Sequence, residues 1–122
     1  MKIYKFTLTK PPSTNQIYGV SCRSGRAIMY MYAEGKAWCE EAMWAIKTQC
    51  RNFSMIEEEC EVYIDFTYAI RNDVDGIIKP CLDVMQKVGL IKNDSLITYL
   101  TVSKEKCKKG EEKVEIEIRE YK

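Results

Sequence analysis

The chain has 122 residues, of which 46% are hydrophobic and 30% are charged, and its formal net charge is +1. These values are typical of one globular domain over residues 1–122. The sequence also excludes a membrane-spanning helix, because no apolar run approaches the roughly 20 residues that cross a bilayer. The alternating N-terminus lacks the apolar core of a secretion signal, so we expect a cytoplasmic protein.

The six cysteines share no CxxC spacing, and the chain has no histidine. A zinc site of the common Cys/His kind is therefore not expected. Nucleophile systems of the Ser-His and Cys-His kind are excluded as well, since both need an imidazole base. Because the cysteines fall on apolar faces and no secretion signal is present, we interpret most of them as small buried thiols in a reducing compartment.

The charge is uneven along the chain. Residues 1–50 hold seven Lys and Arg against three Glu, whereas residues 51–122 hold twelve against fifteen Asp and Glu. A basic first half and an acidic second half suit a protein that attracts a polyanion and holds a cation. Chance asymmetry in a neutral protein remains the alternative.

The first half of the chain predicts one strand, one long loop and one helix. Ile3–Leu8 alternates like a half-buried strand, and Pro11-Pro12 ends it. The segment 11–32 is polar and predicts a loop with a short strand at 27–32. From Ala33 to Cys50 the pattern is helical, and we interpret Trp38 and Trp44 as packing residues of that helix.

The long loop carries cations, an amide and aromatic rings. These groups suit phosphate contacts and base stacking, and the candidate DNA contacts are Asn15, Tyr18, Arg23 and Arg26. A solvated loop without a binding role is the alternative.

The second half predicts a strand, a helix and a hairpin. Cys60–Ile70 alternates strongly and leads directly into Arg71-Asn72-Asp73. The following helix ends at Gly89, and Pro80 in its first turn predicts that it begins near Ile77 or Ile78. Strands at 96–102 and 114–118 then predict a hairpin with a lysine-rich tip. Lys104, Lys106, Lys108 and Lys109 form that tip. A solubilising role for the tip is favoured over a DNA contact.

Three aspartates flank the second helix. Asp73 and Asp75 have the i, i+2 spacing that points two side chains the same way in extended chain, and Asp94 rejoins them if the chain doubles back after Gly89. Carboxylate oxygens suit a hard cation such as Mg²⁺. Helix capping with surface aspartates is the alternative. Lys79 and Asp83 share a helix face with Asp75. We interpret Lys79 as a group that neutralises a scissile phosphate, and an ion pair of little energetic weight with Asp83 is the alternative.

The order and spacing of these residues resemble the RusA family of Holliday junction resolvases. The matching features are Pro11-Pro12-Ser13, Asn15, Tyr18, Tyr32-Ala33-Glu34-Gly35, Asp73-x-Asp75, Lys79-Pro80, Asp83, Gly89 and Asp94. The resemblance covers nearly the whole chain. Together with the predicted elements, it implies an α/β fold of the α+β type. The implied fold is a small two-layer, dimeric domain with a mixed β-sheet packed against two main helices.

The resemblance also implies the activity. A homodimer would cut two strands of four-way junction DNA symmetrically in recombination and repair, without an organic cofactor. Asp73, Asp75 and Asp94 would bind Mg²⁺, Lys79 would act at the scissile phosphate and contact DNA, and Asp83 would support the site.

The chain departs from the family pattern at two positions. Gly76 stands where the family usually has Asn, and Asn93-Asp94 stands where it often has Asp-Asp. A non-cleaving nucleic-acid-binding protein with a weakened metal site is therefore the alternative function. A Mg²⁺-dependent phosphoesterase acting on small molecules is disfavoured by the basic, aromatic loop.

Overall fold

The computed structural model describes residues 2–12, 18–23, 26–31, 33–69 and 75–121, and for residues 18–23, 26–31, 34, 75 and 76 it describes the backbone alone. The elements are β1 (Ile3–Thr9), β2 (Tyr18–Arg23), β3 (Arg26–Met31), α1 (Ala33–Gln49), β4 (Cys60–Tyr68), α2 (Asp75–Lys87), a 3-10 helix (Asp94–Leu96), β5 (Ile97–Lys106) and β6 (Lys113–Glu120). Within these ranges, no helix is long and apolar enough to cross a membrane.

Four strands form a mixed sheet in the order β1-β6-β4-β5, and β2 and β3 form a separate antiparallel pair. β6 runs antiparallel to both of its neighbours, β1 and β4, whereas β4 and β5 are parallel. A parallel pair requires a crossover, and α2 provides it between β4 and β5. The element order β4-α2-β5 is therefore a βαβ unit, and α2 with its flanking loops carries the candidate site.

The core lies between one face of the sheet and the two helices. Alternate residues of β4, from Cys60 to Phe66, are at most 2% exposed. They join alternate residues of β1 and β6 and the apolar faces of α1 and α2 in one buried cluster, which includes Ile46 and Met85. The period of two in the strands thus selects the buried face. The predicted two-layer fold, with a mixed sheet and two main helices, is confirmed.

The predicted hairpin of the last two strands is wrong in its pairing. Both strands exist, but β4 lies between β5 and β6. Val114, Ile116 and Ile118 of β6 are at most 2% exposed, so β6 takes an inner position, whereas most of β5 is exposed at the sheet edge. The connection 107–112 therefore passes over the end of β4, and its turn at 108–111 does not join paired strands.

Two local predictions also differ from the structure. In the segment 11–32, the predicted strand at 27–32 is confirmed as β3, but it pairs with β2, where we predicted loop. α2 begins at Asp75, so Pro80 lies beyond its first turn, where it removes one backbone hydrogen bond from the helix interior. The helix tolerates this proline because Pro80 is buried on the face that packs into the core, and that packing offsets the lost hydrogen bond.

The two tryptophans of α1 have different environments. Trp38 is 5% exposed, and its indole N–H donates to the carbonyl oxygen of Thr9 at 3.0 Å, which fixes α1 against the end of β1. Trp44 is 72% exposed, so our interpretation of it as a packing residue is wrong. The apolar residues of α1 spread so widely around the helix that the sequence did not show that Trp44 faces solvent.

Gly89 ends α2 as predicted. Its φ of 84° lies in the left-handed region that favours glycine. The Leu90 N–H donates to the Met85 carbonyl oxygen at 3.0 Å and the Gly89 N–H to the Gln86 carbonyl oxygen at 3.1 Å, which is the Schellman arrangement. Ile91 then forms a parallel bridge with Ile56. These contacts fix the chain immediately before Asn93 and Asp94.

Four cysteines, Cys39, Cys50, Cys60 and Cys81, are buried free thiols, as predicted, and Cys107 is half-buried. Burial raises the pKa of the Cys81 thiol to about 12 and that of Cys60 to about 11. Both thiols therefore stay protonated at neutral pH and are poor nucleophiles and poor metal ligands.

Candidate active site

One face of α2 carries the polar residues of the candidate site. Lys79, Asp83 and Gln86 follow one another at helical spacing, and Asp75, the first residue of the helix, continues the same row. Lys79 is exposed and Asp83 is half-buried. The opposite face packs into the core through residues such as Cys81 and Met85. Burial of that face therefore orients the polar row outward.

Asp94 is held against this row from outside the helix. Its backbone N–H donates to the Gln86 side-chain oxygen at 3.1 Å. Asn93 caps the short 3-10 helix, since its side-chain oxygen accepts from the Ser95 N–H at 2.9 Å. Asp94 thus lies beside the C-terminal half of α2. Asp94 itself is exposed. Its backbone is held on both sides, because its N–H bonds to Gln86 and its carbonyl oxygen accepts from the Ile97 N–H.

Lys79, Asp83 and Asp94 line an open cleft of about 390 Å³ together with the apolar side chains of Ile78 and Leu82. The potential metal ligands here are the carboxylate oxygens of the two aspartates, and the Lys79 ammonium lies beside them. Oxygen ligands of this kind suit Mg²⁺ or another hard cation and disfavour a soft metal. Among the described residues, no group of three potential metal ligands is close enough to hold an ion by itself.

Several predicted site residues lie outside the described part of the chain. Asp73 and Asn15 do so entirely, and for Asp75 the structure gives the helical backbone position alone. The other three candidate DNA contacts, Tyr18, Arg23 and Arg26, lie on β2 and β3, where Arg23 and Arg26 are paired in register. Their roles remain predictions.

Gln86 was missed by the sequence analysis. It positions Asp94 through the hydrogen bond to the backbone, without adding a charge of its own. The available signal was its spacing, because it lies three residues after Asp83 on the face already marked by Lys79.

A larger cleft, of about 630 Å³, lies on the open face of the sheet. Its Lys5 and Arg119 side chains both pair with Glu117, Lys5 at 3.2 Å, and the Arg119 hydrogen bond lowers the pKa of the Glu117 carboxyl. Asp65 and Glu115 add two further carboxylates. None of the site residues predicted from the sequence lines this cleft, whereas three of them line the smaller cleft beside α2, which is therefore the better candidate.

Residues 9–119 match the model of the family described as Endodeoxyribonuclease RusA. The chain belongs to the RusA family. It is also 35% identical over 88 residues to the crossover junction endodeoxyribonuclease RusA of Aquifex aeolicus (strain VF5). That alignment covers 69% of this chain and 67% of the relative.

Membership in the RusA family confirms the predicted class, a nuclease acting on DNA phosphodiester bonds. RusA nucleases are in general metal-dependent, which agrees with the oxygen-rich cleft beside α2. The match begins at Thr9, the last residue of β1, and therefore spans both the β2–β3 hairpin and the candidate site.

Proposed function

We propose that this RusA-family chain is a Mg²⁺-dependent, structure-selective endonuclease that resolves four-way junctions by symmetric hydrolysis. It would act in the cytoplasm, in DNA recombination and repair. The observation that carries the proposal is the cleft that brings Lys79, Asp83 and Asp94 together. We further propose that residues 1–122 form a single endonuclease domain that works as a homodimer, because two subunits related by a two-fold axis offer two sites for two symmetric cuts.

In this proposal Asp73, Asp75 and Asp94 hold the metal ion. Mg²⁺ is commonly bound by one or two carboxylates together with water and phosphate oxygens, so the three aspartates need not all contact it at once. When bound, the ion lowers the pKa of a water molecule and stabilises charge on the phosphate. The fixed backbone of Asp94 supports its role, since a ligand held in place loses less entropy on binding.

Lys79 and Asp83 act on the DNA strand and on the geometry of the site. The Lys79 ammonium binds the scissile phosphate and stabilises the charge that grows there as water attacks phosphorus and the ester oxygen leaves. Asp83, one helical turn further along, orients Lys79 in the cleft. In this proposal the attacking group is water, which agrees with the absence of histidine from the chain.

The β2–β3 hairpin and the segment before it would contact the DNA through Asn15, Tyr18, Arg23 and Arg26. Cations and amides suit phosphate oxygens, and an aromatic ring suits an unstacked base at the branch point. The hairpin follows the end of β1, where Lys10 adds a further positive charge.

A non-cleaving junction-binding protein is the second candidate, because Gly76 and Asn93 depart from the family pattern. The structure weakens the argument from Asn93, whose side chain caps the 3-10 helix that presents Asp94. A wild-type protein that bound a four-way junction but left its strands intact in Mg²⁺ would favour this second function.

Replacing Lys79 by glutamine should slow Mg²⁺-dependent cleavage of a four-way junction by about a hundredfold, because one charge at the scissile phosphate is lost. Single-turnover cleavage rates at saturating protein measure this effect separately from binding. Lys79→Arg should recover part of the rate, since it keeps the positive charge.

Lys87→Gln is the matched control. This exposed lysine lies two further turns along α2, outside the cleft, and its loss should leave the single-turnover rate unchanged. Equal rates for Lys79→Gln and Lys87→Gln would contradict the role of Lys79 at the phosphate.

A further inference from the structure

One edge of the main sheet gathers the ends of three strands, two of which lead toward residues predicted for the site. β4 and β5 are parallel, and β1 has the same direction as β4 because both are antiparallel to β6. The carboxyl ends of β1, β4 and β5 therefore meet at one edge. From this edge β1 leads toward Asn15, and β4 leads toward Asp73 and the start of α2.

The end of β5 places lysines at this edge, on the helix side of the sheet. Lys104 is paired in register with Phe66, and Lys106 with Tyr68, the last residue of β4. Residues paired in register share a sheet face, and Phe66 faces the core beneath the helices. Both lysines are exposed. Lys104 and Lys106 therefore lie on the same side of the sheet as α2.

Side-chain and backbone contacts fix this region. The Lys104 ammonium lies 5.5 Å from the centroid of the Tyr68 ring, a cation–π distance. The Cys107 N–H donates to the Tyr68 carbonyl oxygen at 2.8 Å, and the Thr67 hydroxyl donates to the Glu111 carbonyl oxygen at 3.2 Å. The connection 107–112, with exposed Lys108 and Lys109, is thus held over the point where β4 ends.

The local charge balance favours an anion. Between residues 104 and 113 there are five lysines and three glutamates. Of the glutamates, Glu105 faces the open side of the sheet, as the neighbour of Lys104 in a strand, whereas Glu111 and Glu112 remain in the connection. The fifth lysine, Lys113, pairs with Glu115 at 2.9 Å. The four lysines at 104, 106, 108 and 109 therefore form the net positive surface, which we name the lysine edge.

We propose that the lysine edge binds the phosphate backbone of a duplex arm of the junction and guides the arm toward the cleft beside α2. This inference rests on the proposed function, which it extends from the site of cleavage to the path of the DNA. It takes up the DNA contact that the sequence analysis gave as the alternative to a solubilising role of these lysines. Phosphate contacts of this kind carry no base specificity, so the lysine edge contributes affinity and orientation.

The test compares two triple variants of equal charge in the full chain. In one, Lys106, Lys108 and Lys109 become glutamine, and Lys104 is kept because it contacts Tyr68. In the control, three exposed lysines that line neither the lysine edge nor the cleft beside α2 become glutamine, namely Lys5, Lys47 and Lys87. Binding to a synthetic four-way junction is measured in Ca²⁺ between about 50 and 200 mM salt, the range in which phosphate contacts change affinity strongly.

We expect the lysine-edge variant to bind the junction at least about tenfold more weakly at low salt. Its plot of log affinity against log salt should be shallower by about 2 to 3, since each phosphate contact contributes about 0.9 to the slope. The control should keep the wild-type slope. Equal slopes for the two variants would overturn the inference. Cleavage of the junction by the wild-type protein in Mg²⁺ is scored separately, so failure of the proposed function would be recognised independently.

Discussion

Replacing Asp94 by asparagine should reduce Mg²⁺-dependent cleavage of a four-way junction by about a thousandfold. A carboxylate that binds the metal ion contributes several kcal/mol to the transition state, and that energy corresponds to such a factor. The fold should not change, because Asp94 is exposed and the hydrogen bond to Gln86 uses its backbone. Single-turnover rates over a range of Mg²⁺ concentrations measure the loss, and junction binding in Ca²⁺ shows that the substrate site is retained.

Asp65→Asn is the matched control for Asp94→Asn. Asp65 is an exposed aspartate on the open face of the sheet, where it accepts a hydrogen bond from Ser103, and asparagine can still accept that bond. Its cleavage rate should equal that of the wild type. If Asp94→Asn cut as fast as Asp65→Asn, Asp94 would have no part in the chemistry.

Replacing Ile64 by alanine should lower the free energy of unfolding by about 3 kcal/mol, a central value for such a change in a packed core. Ile64 is fully buried in β4, the strand that lies between β6 and β5 and leads toward Asp73. Its neighbours in register are Ile116 and Val102, so truncation leaves a cavity bounded by two strands. Urea unfolding measures the change, at one protein concentration for all variants because unfolding of an oligomer depends on concentration.

Ile3→Ala gives the comparison for the same chemical change outside the core. Ile3 is 48% exposed on β1, an edge strand of the main sheet, and its truncation should cost less than about 1 kcal/mol. A similar loss for Ile64→Ala and Ile3→Ala would contradict the central position of β4.

The periodicity of the sequence was sufficient to find most elements, because it reports which residues a strand or helix buries. β4 followed from the strict alternation of Val62, Ile64 and Phe66, and the end of α2 followed from Gly89. Strand pairing did not follow, since alternation is the same in an edge strand and in an inner one. β5 and β6 are adjacent along the chain, but β4 lies between them in the sheet.

The candidate site was predictable where helical spacing determined it. Lys79 and Asp83 lie on one face of α2 as expected, and Asp94 lines the same cleft. Gln86 was not found, because an amide that positions a backbone has no distinctive pattern in the sequence. The four lysines of the lysine edge were found in the sequence, but their position relative to the site was not. That position depends on the parallel pairing of β4 and β5, a contact between distant parts of the chain.

The most direct test of the proposed function is a comparison of two substrates that share their sequence. A synthetic four-way junction and a linear duplex made from one of its strands are incubated with the wild-type protein, with Mg²⁺ and with a chelator, and cuts are mapped on every strand. We expect paired nicks at symmetric positions on two strands of the junction, in Mg²⁺ alone, with the linear duplex intact. Binding without cutting, or equal cutting of the linear duplex, would contradict the proposed function.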